Sequence, residues 1–279
     1  MDLTEKLGHS LVHHGEFNNR IFLLKYDEKD RNNITDQLNK LAETNGYTKI
    51  IAKVPAAAQP VFLKDGFTQE AFIPSFYQGE QDVFFMSKFL SDERKKAPSS
   101  ALDTLTDLLA QPQNNNGAVL AKEFKLTLLS PKEAPQMSEL FGTVFETYPF
   151  PVTQPEYIRE TMQEATVIYF GIWHHQQLVG ISSAEVDPKN KNAEMTDFAV
   201  LPEYRGHRLA YFLLQKMEQY LTEQKYQTVY TIARLNSPGM NKTFINHGYR
   251  FSGVLTNNTN ISGQIESMNV YYKKLMKNG

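Results

Sequence analysis

Cysteine is absent from the 279 residues, which excludes disulfides, thiolate metal sites, CxxC redox chemistry and a cysteine nucleophile together. Charge of one sign is also lacking. Lysine and arginine number 29 against 31 aspartates and glutamates, a formal charge of -2, so no overall basic field attracts nucleic acid or anionic lipid. Any anion must be held locally. No apolar run approaches the roughly 18 residues of a membrane span, and residues 1–30 carry Asp2, Glu5 and several histidines instead of the apolar stretch of a secretory signal. The expectation is a cytoplasmic protein with no membrane and no nucleic-acid partner. What remains is ordinary globular composition, 41% apolar and 22% charged, in a length that suits one large domain or two of moderate size.

Residues 91–123 contain SDERKKAPSS and TDLLAQPQNNNG, a composition that does not pack a core. Within them ALDTLTDLLA (101–110) has apolar residues at helical spacing, so this linker is expected to hold a short helix. The expected organisation is an N-terminal α/β region over 1–95, the linker over 96–123 and a second domain over 124–279. The second domain alternates strand and helix signals. Strands are predicted at 124–129, 166–173, 177–186, 193–201 and 227–235, and helices at 132–145, 155–165, 206–223 and 240–246. Two final strands, 249–255 and 266–275, flank a loop rich in asparagine and glycine. The fold class is α/β, with a mixed sheet flanked by helices.

A weak internal repeat links the halves. TKIIAK (48–53), VFLKDGF (61–67) and VFFMSK (83–88) occur in the same order as YTIAR (230–234), TFINHGY (243–249) and NVYYKK (269–274), and Phe62 and Phe244 each stand four residues before a glycine-aromatic pair. Two readings fit this pattern: shared ancestry of the halves, or plain α/β regularity.

The sharpest chemical signal is YRGHRLA (204–210), placed between a predicted strand and a long predicted helix. A loop entering a helix presents unpaired backbone N–H groups and the positive end of the helix dipole, a cradle for a pyrophosphate. Gly206 lets the backbone approach closely, and Arg205 and Arg208 add positive charge.

With Arg205-Gly206-His207-Arg208-Leu209-Ala210 the chain resembles the GCN5-related N-acetyltransferases (GNAT), whose acetyl-CoA motif is Q/R-x-x-G-x-G/A at such a turn. Arg208 stands where the family most often has glycine, which is tolerable if that residue is already helical. The resemblance covers about 124–279, including Asn236 after a strand and the pair Gly248-Tyr249. It implies the GNAT fold for this part, with the N-terminal region as a degenerate GNAT-like half. It also implies acetyl-CoA as donor and co-substrate, with no metal, and cofactor contacts from Phe198, Ala199, Val200, Arg205, Gly206, His207, Arg208, Leu209, Ala210, Asn236 and Asn241. HGEFNNRIFLLK (14–25), TKIIAKVP (48–55), TYPFPV (147–152), NSPGMNKTFINHGY (236–249) and IESMNVYYK (265–273) further resemble the β-lysine N-acetyltransferases. That group acetylates the ε-amine of β-lysine to make a compatible solute in osmoadaptation. A small-molecule amine is thus the implied acceptor.

An ε-amine has a reference pKa near 10.4, so presenting it unprotonated at pH 7 costs roughly 4–5 kcal/mol and calls for a base. Alternation puts Glu194, Thr196, Phe198 and Val200 on one strand face and Asp197 on the other. The resemblance implies that Glu194 is the base, and Asp197 is a second candidate for a substrate ammonium. The strand Phe198-Ala199-Val200 resembles the one whose main chain pairs with the pantetheine arm, which implies an N–H offered to the developing oxyanion. Direct transfer is expected, since cysteine is absent. Many relatives protonate coenzyme A with a tyrosine where this chain has Phe244; Tyr249 or water could serve instead. For the substrate carboxylate the preferred partner is Arg234, with Tyr148 and Asn269 lining the pocket.

The pairs His13-His14 and His174-His175 do not suggest a metal, because adjacent histidines in a strand point to opposite faces and no HExxH accompanies them. The N-terminal half has no counterpart of YRGHRLA: DEKDRNN (27–33) is acidic and without glycine. It is expected to bind no cofactor and to complete the sheet or wall the acceptor pocket, by itself or across a homodimer. Two alternatives stand beside β-lysine acetylation: transfer to another small amine such as lysine or a polyamine, and a non-catalytic acetyl-CoA sensor.

Overall fold

Residues 2–96, 99–113, 117–146 and 150–275 are described by the structure, a computed structural model. The N-terminal part runs β1 (Leu3–Leu7), β2 (Ser10–Gly15), β3 (Arg20–Lys25), α1 (Ile34–Asn45), β4 (Lys49–Pro55), α2 (Gln59–Lys64), β5 (Thr68–Tyr77), β6 (Gln81–Phe89) and α3 (Ser99–Ala110). There follow β7 (Phe124–Leu128), α4 (Ala134–Val144), α5 (Pro155–Gln163), β8 (Val167–His174), β9 (Gln177–Asp187) and β10 (Asn192–Val200). The chain then continues through α6 (Leu209–Glu223), β11 (Thr228–Arg234), α7 (Pro238–Asn246), β12 (Arg250–Ile261) and β13 (Gln264–Lys274). No helix among the described residues is long and apolar enough to cross a membrane.

Two sheets result, in the orders β1-β2-β3-β4-β6-β5 and β12-β13-β11-β10-β9-β8-β7. Read from opposite ends they repeat one plan: β8-β9-β10-β11-β13-β12 follows the same sequence of roles as β1-β2-β3-β4-β6-β5. The single parallel pair recorded in each, β3 with β4 and β10 with β11, is bridged by a helix, α1 or α6. Both halves also close the next helix alike. The amide of Phe67 donates to the carbonyl of Phe62 at 3.1 Å and that of Tyr249 to Phe244 at 3.1 Å. The intervening Gly66 and Gly248 take φ of 82° and 79°, left-handed values that favour glycine. The weak repeat in sequence is therefore a repeated structure.

Packing explains why these segments fold as they do. In α1 the buried residues Ile34, Leu38 and Ala42 recur every four positions, and Gly46 at φ 67° ends the helix. They pack on Ile21, Leu23, Ile50, Ala52 and Val54 of the first sheet. In α6, Leu209, Phe212, Leu213, Met217 and Leu221 are buried, and Ser182 of β9 donates to the Met217 sulfur at 3.0 Å, which places α6 on one face of the second sheet.

Contacts divide the chain into two units built from discontinuous pieces. The first comprises residues 1–107, 234–236 and 252–270, and the second 108–233, 237–251 and 271–279. The boundaries proposed at 95 and 124 follow chain order, whereas the β12–β13 hairpin contributes to both units. That hairpin also departs from the expected asparagine-rich loop. Residues 256–261 are strand, and only Ser262 and Gly263 turn. The asparagines are ordered by partners within the first unit: Asn257 donates to the Lys96 carbonyl at 2.8 Å, and Asn260 donates to the Phe17 carbonyl at 2.7 Å.

Candidate active site

Strand β10 is the centre of the second sheet and is interrupted by a bulge. Thr196 lies opposite Ser183 of β9, yet Ala199 lies opposite Ile181, so three steps on β10 match two on β9. Asp197 takes φ 54° in the irregularity. Directly opposed residues share a face, and this corrects the simple alternation. Glu194 and Thr196 do share a face, but Val200 is turned to the α6 side, where its side chain and Leu213 both approach Gly180. Asp197, expected on the opposite face, is swung toward Thr196 and Ser183, and the Ser183 hydroxyl donates to its carboxylate. An inserted residue reverses the face of everything beyond it, which period-two reasoning cannot anticipate.

The face so formed is acidic and phenolic. Glu194 stands directly opposite Glu185 on β9 and beside Tyr230 on β11. Tyr169 lies opposite Ser183, and its hydroxyl meets that of Thr161 on α5 at 3.1 Å. Burial first, then Glu185 and Asp197, push the half-buried Tyr157 phenol of α5 up to about 12. Burial and the same two carboxylates also raise Tyr169. Tyr157, Tyr169, Ser183 and Glu185 escaped the sequence reading. Their common face follows from the strand register and not from any local motif.

Strands β10 and β11 pair in parallel over Asn192–Glu194 and Thr228–Tyr230. Beyond this short ladder β10 runs on to Val200 and β11 to Arg234, so the main chain at 198–200 edges the opening between them. After β10 a short 3-10 turn at Pro202–Tyr204 leads into the loop. Residues 205–208 are exposed, and the amides from Gly206 to Ala210 donate to no main-chain acceptor among the described residues. Gly206 sits at φ 88° with nothing within 4 Å of where a Cβ would lie. Arg208, the N-cap of α6, makes no side-chain cap and has φ 58°. Its backbone is left-handed, contrary to the expected helical conformation, and its guanidinium lies 4.6 Å from the Tyr211 ring. Open amides, a helix N-terminus and two exposed arginines fit a pyrophosphate.

Phe244 is fully enclosed, its ring 5.7 Å from Phe198, 5.2 Å from Tyr249 and 6.1 Å from Tyr271. Tyr249 does not suit the role of acid to a departing thiolate. Burial, with the adjacent Glu218, lifts its phenol well above the ordinary value, and a group that holds its proton so firmly donates it poorly. Asn241 is buried and bridges the Ser237 carbonyl and the Tyr271 hydroxyl at 2.8 and 2.9 Å.

Arg234, Asn236 and Asn269 belong to the first unit, Asn269 fully buried and Asn236 exposed. Arg234 grips Glu266 through Nε at 3.0 Å and Nη2 at 2.7 Å, so the fork expected for a substrate carboxylate already holds one. Tyr148 lies outside the described residues, as do Pro98 and residues 114–116.

Among the described residues no three His, Cys, Asp or Glu side chains are grouped to hold a metal. His14 bonds Tyr47 and Glu5 at 3.0 and 2.9 Å. His174 and His175 are not on opposite faces: the β8–β9 turn brings their rings to 4.3 Å, at the rim of a cleft of about 660 Å³ with Leu140 and Leu201. In the first unit the loop after β3 is filled by its own acids. Asp30 accepts from the amides of His9 and Ser10 at 2.8 and 2.7 Å, so a carboxylate occupies donors of the kind a phosphate would need.

Comparison with known proteins agrees with this geometry. Residues 135–249 match the model of the acetyltransferase (GNAT) family. The chain is 37% identical over 275 residues to beta-lysine N(6)-acetyltransferase of Methanococcus maripaludis, covering 98% of this chain and 99% of that protein. It is 32% identical to N-acetyltransferase YodP of Bacillus subtilis, over 95% of this chain and 96% of the relative. It is 29% identical to beta-lysine N(6)-acetyltransferase of Methanosarcina mazei, over 87% and 97%. The chain belongs to the GNAT family of acetyl-CoA-dependent N-acetyltransferases, with the GNAT plan present twice.

Proposed function

We propose that the protein transfers the acetyl group of acetyl-CoA to the ε-amine of β-lysine, forming Nε-acetyl-β-lysine, a compatible solute. The observation that carries this reading is the 37% identity to a protein of that name across essentially the whole of both chains, not across the cofactor motif alone. The acidic face supports it. β-Lysine carries two ammonium groups, and Glu194 opposed to Glu185, with Asp197 alongside, presents carboxylates of the opposite charge.

In this reading Glu194 removes the proton of the ε-ammonium directly or through one water. Asp197 and Glu185 hold the second ammonium. A main-chain N–H of residues 198–200 stabilises the oxyanion as the amine attacks the thioester carbon, and the amides of 206–210 with Arg205 and Arg208 hold the donor's pyrophosphate. As the C–S bond breaks, the departing thiolate takes its proton from solvent. Asn241 ties α7 to β13 through the Ser237 carbonyl and the Tyr271 hydroxyl. The reaction runs in the cytoplasm, where acetyl-CoA is made, and the first unit, with β1 leaving one sheet edge open, pairs two chains as a homodimer.

A second reading, transfer to a polyamine, has one observation in its favour: Arg234 is already engaged by Glu266, and a polyamine needs no carboxylate partner. Thiol release from acetyl-CoA with β-lysine, α-lysine, spermidine or no acceptor separates the two. Fastest release with β-lysine supports the first, and equal rates with spermidine replace it by the second.

A further inference from the structure

The two exposed arginines of the loop before α6 are held differently. Arg205 has no ring, ion pair or side-chain hydrogen bond among the described residues. Arg208 has its guanidinium 4.6 Å from the ring of Tyr211, in the first turn of α6. The same ring packs on His247, the C-cap of α7, with 4.1 Å between centroids and 44° between planes. His247 is itself fixed. Its Nε2 donates to the Tyr211 carbonyl at 3.1 Å, and because a carbonyl only accepts, the proton sits on Nε2. Its Nδ1 lies 3.7 Å from Glu218 Oε1, seven residues further along α6, and the side chain is 6% exposed. Lys273 of β13 closes the group, donating to the His247 carbonyl and to Glu218 Oε2 at 2.7 Å each. Burial first, then Lys273, lowers the pKa of His247 to about 4, so at pH 7 the ring is neutral and does not repel Arg208.

An exposed arginine carries rotamer freedom that binding must remove. An aromatic ring against the guanidinium removes part of it beforehand and leaves the N–H fork open to a phosphate. We propose that Tyr211 and His247 are positioning residues for the donor: the Tyr211 ring holds Arg208, and the His247 hydrogen bond fixes that ring, so the guanidinium is set for the pyrophosphate before coenzyme A arrives. This rests on the reading that Arg208 contacts the pyrophosphate, and not on which amine is the acceptor.

The test is a double-mutant cycle on the full-length protein, read as the calorimetric Kd of coenzyme A, with folding of each variant checked by circular dichroism. Tyr211→Leu should weaken binding about threefold or more, whereas Tyr211→Phe, which keeps the ring, should match wild type. His247→Gln, which keeps a donor for the Tyr211 carbonyl, should bind more tightly than His247→Leu. In an Arg208→Gln background Tyr211→Leu should have no further effect, while in an Arg205→Gln background it should keep its full effect. If Tyr211→Leu does not fold, the same cycle with His247→Leu gives the decision. Additivity with Arg208→Gln would reduce Tyr211 to packing within the helix and overturn the proposal, as would Tyr211→Phe binding as weakly as Tyr211→Leu. His247→Gln no better than His247→Leu would remove His247 from the role. No acceptor enters these titrations, so failure to acetylate β-lysine would sink the proposed function and leave this inference standing on its own result. Wild type that does not bind coenzyme A would overturn the donor site and this inference together.

Discussion

Glu194 faces another carboxylate, Glu185, across the β9–β10 pair, so its substitution tests proton removal without deleting the whole acidic face. Glu194→Gln should lower kcat/KM for the amine acceptor by about 10²–10⁴-fold at pH 7. The deficit should shrink as pH rises toward the amine's own pKa, because the free amine then needs no base. A pH–rate profile of both proteins checks this, and a deficit constant from pH 7 to 10 would remove Glu194 from that role. Arg208 gives a second prediction. At φ 58° a β-branched side chain is strained, while glycine is not. Arg208→Val should destabilise by about 1–2 kcal/mol, and Arg208→Gly should leave thermal stability nearly unchanged while raising KM for acetyl-CoA through loss of one charge. Thermal melts and initial rates distinguish the two.

The elements show what the sequence discloses and what it hides. The strand-loop-helix unit at 193–223 was legible because its signal is local: alternation, then Pro202, Gly206 and a long amphipathic run. The glycine-aromatic closures were legible for the same reason. The β10 bulge was not, since one inserted residue leaves the hydrophobic pattern of β10 intact while turning Asp197 and Val200 to new faces. Nor was the strand at 256–261, whose asparagines look like a loop until their partners at Phe17 and Lys96 are known. At Gly253 of β12 any Cβ would collide with the Glu70 carbonyl oxygen of β5. Gly253→Ala should therefore cost about 1–3 kcal/mol by overpacking, seen as a lower melting temperature, and a neutral result would show that β12 can slide away from β5.

At the scale of the whole molecule, one strand plan occurs twice, and YRGHRLA follows the parallel-pair strand of the second copy alone. The eight-residue loop after β3 carries Asp27, Glu28 and Asp30 and no glycine, whereas the eight-residue loop after β10 carries Arg205, Gly206 and Arg208. Calorimetric titration with acetyl-CoA should give one site per chain, and two sites would show that the first half still binds donor. A fragment of residues 124–279 should fail to yield a stable fold, because residues 252–270 leave their partners behind in the first unit.

The shared hairpin also sets how the protein denatures. Two domains joined by one tether can melt in succession, but here β12 and β13 are each woven into both units, so neither can lose its order without fraying a strand of the other. Heating should give a single calorimetric peak whose van't Hoff and calorimetric enthalpies agree. Amides at the middle of β13 should then exchange with deuterium at the same rate as those of the central strands of both sheets, since no opening confined to one unit frees them.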